Sequence, residues 1–295
     1  LNAPLNSTAP VSSPKAPAKG GIGTAVGQVL LNLVLLIFSV SCVFPVIWLF
    51  YSSLKNQTEF YSNPIALPSH IDFSNYVSVL TGSKMFLWLR NSCLNTVIAL
   101  FFIILFGFII GYFLSRFHFR SKRALSLFFL IGMVIPIHAL MVPIYILFNR
   151  TGLLNHWFTL IIPYISFNLP IAIFLVESYI HSIPKEMEEA ATIDGCGFSR
   201  TLFSIIMPMC IPVLVTVGII QFFACWNEFS FALVLIGKEN LMTVPVGLTL
   251  FKGQYSVDYP AMMCAMFLSI TPAILLYAGF SKQIIKGMVA GAVKG

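Results

Sequence analysis

Four of the chain's ten acidic residues fall within nine positions: Glu186, Glu188, Glu189 and Asp194. They stand in the hydrophilic stretch 181–212, HSIPKEMEEAATIDGCGFSRTLFSIIMPMCIP, between two long apolar runs. Catalysis by such carboxylates needs a convergent acid–base or metal constellation. The sequence has no such grouping, no C-x-x-C or Cys/His ligand spacing and no GxxxxGK[ST] phosphate loop. What remains is the local physics of a helix–turn–helix. Pro184 suits a first helical turn, where its missing N–H costs nothing. Glu186, Glu188 and Glu189 complement the positive end of that helix. Asp194-Gly195 reads as its stop, and a second short helix from about Phe198 returns the chain to Pro208.

A second set of polar residues interrupts the apolar runs themselves: Asn168, Gln221, Asn227 and Glu228, with His138 as a further candidate. Ionisable groups in lipid are expensive, so they face protein or water. Glu228 either lines a polar path or fixes the bundle through an interhelical hydrogen bond. Asn168-Leu169-Pro170 is the best internal break of its run, and Pro136 and Pro143 are kink positions in another.

The elements that must position these residues are membrane helices. The chain is 58% hydrophobic and 9% charged, with mean hydropathy +0.91, whereas an average soluble domain carries roughly 25% charged residues. Six runs reach the roughly 20 residues that a bilayer requires: 26–53, 91–115, 124–148, 158–180, 208–236 and 260–281. Continuous runs of this length exclude the alternating pattern of a barrel. The expected fold class is an all-α membrane protein with six transmembrane helices. The domain organisation is a disordered tail at 1–25, a membrane domain at 26–281 with the hydrophilic loop at 181–207, and a C-terminal tail at 282–295.

The net charge of +7 could suggest nucleic acid, but the basic residues lie in short loops beside the apolar runs, as membrane orientation requires. With both termini cytoplasmic, eleven of the seventeen Lys and Arg residues fall inside and six outside. The short loop 116–123 holds four of them, Arg116, Arg120, Lys122 and Arg123, and no acid. Each would cost roughly 2.5–3.5 kcal/mol at a helix centre. The 181–207 loop is then cytoplasmic as well. The six cysteines read as small buried apolar residues. The N-terminal zone is a poor signal peptide, because the apolar run behind it is too long for an h-region.

The spacing of Glu189, Ala190, Ala191, Gly195, Ile205 and Pro208 (EAA, three residues, G, nine residues, I, two residues, P) resembles the signature cytoplasmic loop of bacterial ABC importer membrane subunits. Trp226-Asn227-Glu228-Phe229 resembles the WNEF of carbohydrate-type permeases, and Thr243 to Leu248, TVPVGL, their TxPxGL. The ending, Lys286 to Gly295, is similar to their GLxxGAVKG. Together these identify the chain as resembling the maltose-type second-permease branch, from about residue 26 to the end. Met207 departs from the usual Leu before the proline, a volume-conserving change.

The resemblance implies a type I ABC importer permease, multi-pass in the bacterial cytoplasmic membrane. It would be a transport subunit and not an enzyme, importing a sugar or oligosaccharide by alternating access. Residues 184–200 would form a coupling helix on an ATPase, with Glu188, Glu189, Ala190, Ala191, Asp194, Gly195, Ile205 and Pro208 as coupling residues. Lys286, Gly287 and Gly291 would contact the ATPases. Asn168, Gln221, Asn227 and Glu228 are candidates for the substrate path, since amides and hydroxyls recognise sugars. The implied partners are a second homologous permease, two ATPase subunits carrying ATP and Mg2+, an extracytoplasmic solute-binding protein and membrane lipid, with no cofactor in this chain. The alternative is an ion-coupled secondary transporter, which would want paired intramembrane charges and repeat-related broken helices.

Overall fold

The structure, a computed structural model, describes the backbone of residues 22–251 and 258–292 and the side chains of 27–251 and 258–281. The predicted tail at 1–25 lies almost wholly outside the described residues. So do the side chains at 286, 287 and 291. Among the described residues all regular structure is helical. The helix that begins at Tyr259 runs to Ala292, so the segment predicted as a C-terminal tail continues the last helix.

Four helices are long and apolar enough to cross a bilayer, and two bent pairs bring the number to as many as six. Span one is Ile22–Ser52. It belongs mainly to a unit of its own, ending at Trp48, and large side chains such as Val34 and Phe38 stand exposed along it. The second unit holds the rest. Span two is Met85–Arg116 and span four is Ile161–Ile180. Span six begins at Tyr259.

Spans three and five are broken rather than straight. Span three consists of Lys122–Val134 and Ile137–Arg150, which meet at 92°. Pro136 explains the break: it lacks an N–H and forces Ile135 into an extended conformation, at φ −65° and ψ 124°. Span five was expected as one run, 208–236. Instead Phe198–Met209 meets Ile211–Trp226 at 72°, and Ser230–Leu235 forms a separate short helix. Pro212 has no N–H to return to the carbonyl of Pro208, which removes a bond from the first joint. Span four, by contrast, runs through Pro170 as one helix.

Spans two and four are the closest pair. A Cβ added at Gly107 would lie 2.9 Å from Ala172 Cβ, and one at Gly111 would lie 3.0 Å from Val176 Cγ1 and 3.1 Å from Glu177 N. Two glycines one helical turn apart therefore let the backbones touch, the usual route to helix association in lipid. Around this seam Phe108, Ile180, Ile206 and Val217 are fully enclosed.

The segment 53–84 is a folded knot rather than a loose loop. Lys55 is fully buried, and its Nζ donates to the carbonyls of Asn63 and Pro64 at 2.9 and 3.4 Å. Burial lowers the Lys55 pKa, and the nearby Glu59 carboxylate opposes that shift. Asn75 donates to the carbonyls of Ser53 and Lys55, both at 2.8 Å. Glu59 accepts from the Ser69 N–H at 2.5 Å and its hydroxyl at 2.7 Å. These two bonds hold the Glu59 carboxyl below the usual carboxylate range. A depressed acid contributes stability above its unfolded pKa and loses it as pH falls through the folded value. The 57–69 turn is therefore expected to loosen as pH falls below the ordinary glutamate value of 4.5 and through the lower folded one. Hydrogen exchange of that segment, corrected for intrinsic rates, should show this in the wild type and lose the pH dependence in Glu59→Gln.

Candidate functional site

The signature loop is built on a helix of eight residues, Glu186–Ile193. It is shorter than the expected 184–200, because Gly195 stops it. Gly195 stands at φ +75°, a conformation that costs an L-residue roughly 1–2 kcal/mol. Its N–H donates to Thr192 O at 3.0 Å and the Cys196 N–H to Ala191 O at 2.9 Å, the two bonds of a Schellman cap. The second arm starts at Phe198 and passes through π-type hydrogen bonding over Thr201–Ile206 before it reaches the bend. Ile205 packs against the core, whereas Pro208 is exposed on the way to the joint.

The two central glutamates face different ways. Glu188 turns inward: its Oε1 lies 2.5 Å from Arg116 Nε, and its Oε2 accepts from Tyr112 Oη at 2.8 Å. Arg116 also donates to Ile183 O at 2.8 Å. The Arg116 side chain is only 6% exposed and that of Glu188 20%. Removing one partner of a pair this buried costs roughly 3 kcal/mol or more. The Lys84–Glu239 pair, exposed by nearly half at both ends, is worth at most about 1 kcal/mol. Glu189, Ala190 and Asp194 face out, Ala191 is buried, and Ile193 is 86% exposed. Glu186, Glu189, Ala190 and Ile193 thus form one free helix face, with an isoleucine at its tip.

The second arm is held by rings. Phe198 lies 5.9 Å from Phe113, 6.1 Å from Tyr112 and 6.2 Å from Phe117, centroid to centroid. Both arms therefore grip the end of span two. Arg116 was predicted only as a loop charge. The signal that could have found its role was the charge count, which puts the basic 116–123 loop and the acidic 181–207 loop on one side of the membrane.

Three of the four polar candidates come together between spans four and five. Asn168 Nδ2 donates to Tyr164 O at 2.8 Å, and Gln221 Nε2 to Asn168 O at 3.2 Å. Gln221 is fully buried, and its Oε1 has no hydrogen-bond partner among the described residues. Glu228 accepts from the Phe231 and Ala232 N–H groups at 2.7 and 3.1 Å, and from Tyr164 Oη at 3.3 Å. It caps the short helix Ser230–Leu235. Asn227 ends the preceding helix and is exposed. His138 sits exposed in the turn Ile137–Leu140, within span three. None of these residues lines the cavity of about 400 Å³ between spans two, three and four, whose walls include Arg123, Met133, Phe174 and Glu177.

The TVPVGL segment and the turn before it, from Glu239, are fastened across the start of span two. Trp88 Nε1 donates to Glu239 O at 2.9 Å, Asn91 Nδ2 to Asn240 O at 2.9 Å, and the Val244 N–H to Ser92 Oγ at 2.9 Å.

Broken apolar helices in a bundle, with a hydrophilic helix–turn–helix projecting from it, are the architecture of a membrane transport subunit rather than of an ATPase. Residues 103–288 match the family described as "Binding-protein-dependent transport system inner membrane component", and the chain belongs to that family of multi-pass membrane proteins. It is 38% identical over 252 residues to a putative ABC transporter permease protein, ORF2, of Caldicellulosiruptor sp., covering 85% of this chain and 91% of the relative. It is 33% identical to the sulfoquinovosyl glycerol transport system permease protein SmoH of Agrobacterium fabrum, over 88% of this chain and 91% of the relative. It is 29% identical to the trehalose/maltose transport system permease protein MalG of Thermococcus litoralis, over 91% and 97%. A chain in the crystal structure of a bacterial ABC transporter that imports alginate superposes with TM-score 0.80 at 24% identity, covering 89% of this chain and 98% of that one. That likeness establishes the fold.

Proposed function

We propose that the chain is one permease of an ATP-driven, binding-protein-dependent importer of a sugar or oligosaccharide, working by alternating access. The observation that carries this reading is the free face of the Glu186–Ile193 helix: a rigid, capped element with Glu189 and Ile193 turned outward. Such a face fits a cleft on an ATPase subunit, with Glu189 as the charged contact and Gly195 keeping the turn tight. Relatives named for carbohydrate transport support the substrate class. The partners would be a second, homologous permease, two ATPase subunits that bind ATP and Mg2+, and an extracytoplasmic binding protein. The 181–207 loop and both termini would be cytoplasmic, and Lys286, Gly287 and Gly291 would add contacts to the ATPases. Asn168, Gln221 and Glu228 would border the substrate path, with Asn227 at its helix break.

The test is ATP hydrolysis stimulated by the binding protein in the co-expressed complex, with subunit retention followed by pull-down. Glu189→Ala should weaken docking, and Gly195→Pro should unmake the cap by removing its N–H and its positive φ. Both are expected to lose stimulated hydrolysis by about tenfold or more, equivalent to about 1.4 kcal/mol of coupling. Unchanged hydrolysis and uptake in both variants would reduce the loop to a connector and make ion-coupled transport the reading to pursue.

A further inference from the structure

The hydrophilic loop is joined covalently to spans four and five, yet its side chains grip span two. Glu188 on the first arm is held by Arg116 and Tyr112. Phe198 on the second arm lies among Tyr112, Phe113 and Phe117. Arg116 also donates to Ile183 O, in the strand of chain that leaves span four. One guanidinium therefore ties the end of span two to both the loop helix and its entry. Higher along the same pair, Gly107 and Gly111 bring span two into backbone contact with span four. A displacement of the loop helix can reach span two directly through these side-chain contacts or indirectly through span four, and Arg116–Glu188 is the directional one among the direct contacts. The aromatic cluster resists separation but fixes no register, because ring contacts at 5.9–6.2 Å tolerate rotation. The guanidinium holds two partners at once, Glu188 Oε1 from Nε and Ile183 O from a second N–H. A planar charged group bonded at two points fixes both distance and orientation.

We propose that Arg116 is a positioning residue that transmits movement of the 181–207 loop helix to the paired spans two and four. This rests on the loop being the ATPase contact. Arg116 and Glu188 then act together as a rigid link, while Glu189 and Ile193 form the contact itself. Two neighbouring glutamates, 188 and 189, have separate tasks: one faces the ATPase and the other faces the bundle.

The experiment is hydrogen exchange of the full co-expressed complex, with and without ATP and orthovanadate. It compares segment 184–200 with segment 106–117 at the end of span two. In the wild type both segments should change exchange when nucleotide is trapped. In Glu188→Gln, which keeps the shape but not the charge, the loop segment should still respond and the span-two response should be lost. Arg116→Lys keeps the charge but not the planar group that reaches Glu188 and Ile183 O together, so it should behave likewise and decides the matter if Glu188→Gln does not assemble. A span-two response as large as wild type in either assembled variant would overturn the proposal, because movement would then arrive through span four. A wild-type complex in which neither segment responds would overturn the underlying reading of the loop as well.

Discussion

Gly247→Ala is expected to be among the most damaging single-methyl changes in the chain. The added Cβ would collide with Trp88 Cδ2 and Cε3, well inside van der Waals contact. Those atoms belong to the body of a rigid ring, so no rotation about a terminal bond can relieve the clash. Trp88 is buried, and its Nε1 is committed to Glu239 O. Its neighbours Asn91 and Ser92 carry further bonds to the same outer segment. Either the ring moves and gives up its bond, or the segment lifts and three more are strained. Overpacking costs roughly 1–3 kcal/mol, and a lost buried bond about another 1. The purified complex should melt several degrees lower and accumulate poorly. Adding Trp88→Leu to Gly247→Ala should recover part of the loss, since the collision partner is then gone. A single variant that melts like the wild type would show that the outer segment yields freely.

The same contact shows where sequence reasoning reaches and where it stops. The TVPVGL pattern, whose Val244–Gly247 the structure makes a short helix, was legible as a motif. That Gly247 is there for want of a Cβ was not, because its reason is a tryptophan far away in the chain. Four of the six expected runs were legible from length alone as helices able to cross a bilayer, and the bend of span three from Pro136. The prolines at 208 and 212 likewise mark the first joint of span five. The second joint, at Asn227–Phe229, carries neither proline nor glycine, and only the polar pair Asn227-Glu228 marks it.

Glu188 and Glu189 make the point for the loop. Adjacent residues on a helix differ by about 100° in direction, so the two glutamates do not share a face, but the sequence does not say which of them, if either, turns to the bundle. The answer lies in Arg116, seventy-two positions earlier in the chain. Lys55 is a similar case. As a charge in a loop it reads as solvent-exposed, whereas the structure encloses it completely and satisfies it with backbone carbonyls. Burial of a cation is tolerated when the chain folds back to supply acceptors, and that depends on how Asn63 and Pro64 return past it.

Glu228 carries the second large expected effect, and it discriminates between two views of the polar belt. As a helix cap, Glu228 satisfies two backbone donors that the break at Asn227 would otherwise leave without acceptors, and it also takes the Tyr164 hydroxyl. Glu228→Leu would strip all three at once. Leaving buried donors unsatisfied costs roughly 1–3 kcal/mol each, though bonds between helices in lipid average nearer 0.6 kcal/mol. A total of roughly 2–4 kcal/mol is expected, seen as loss of assembled complex and a lower melting point. Glu228→Gln keeps an acceptor oxygen for one N–H and should retain most of the stability. If the residue served the substrate path alone, both variants would assemble and melt like the wild type and differ only in uptake. If it is the cap that holds the break open, uptake and stability fall together in Glu228→Leu, while Glu228→Gln separates them. Asn227→Ala is the companion measurement: Asn227 is exposed and its side chain is not needed for the cap, so it should leave melting unchanged and report on the path alone.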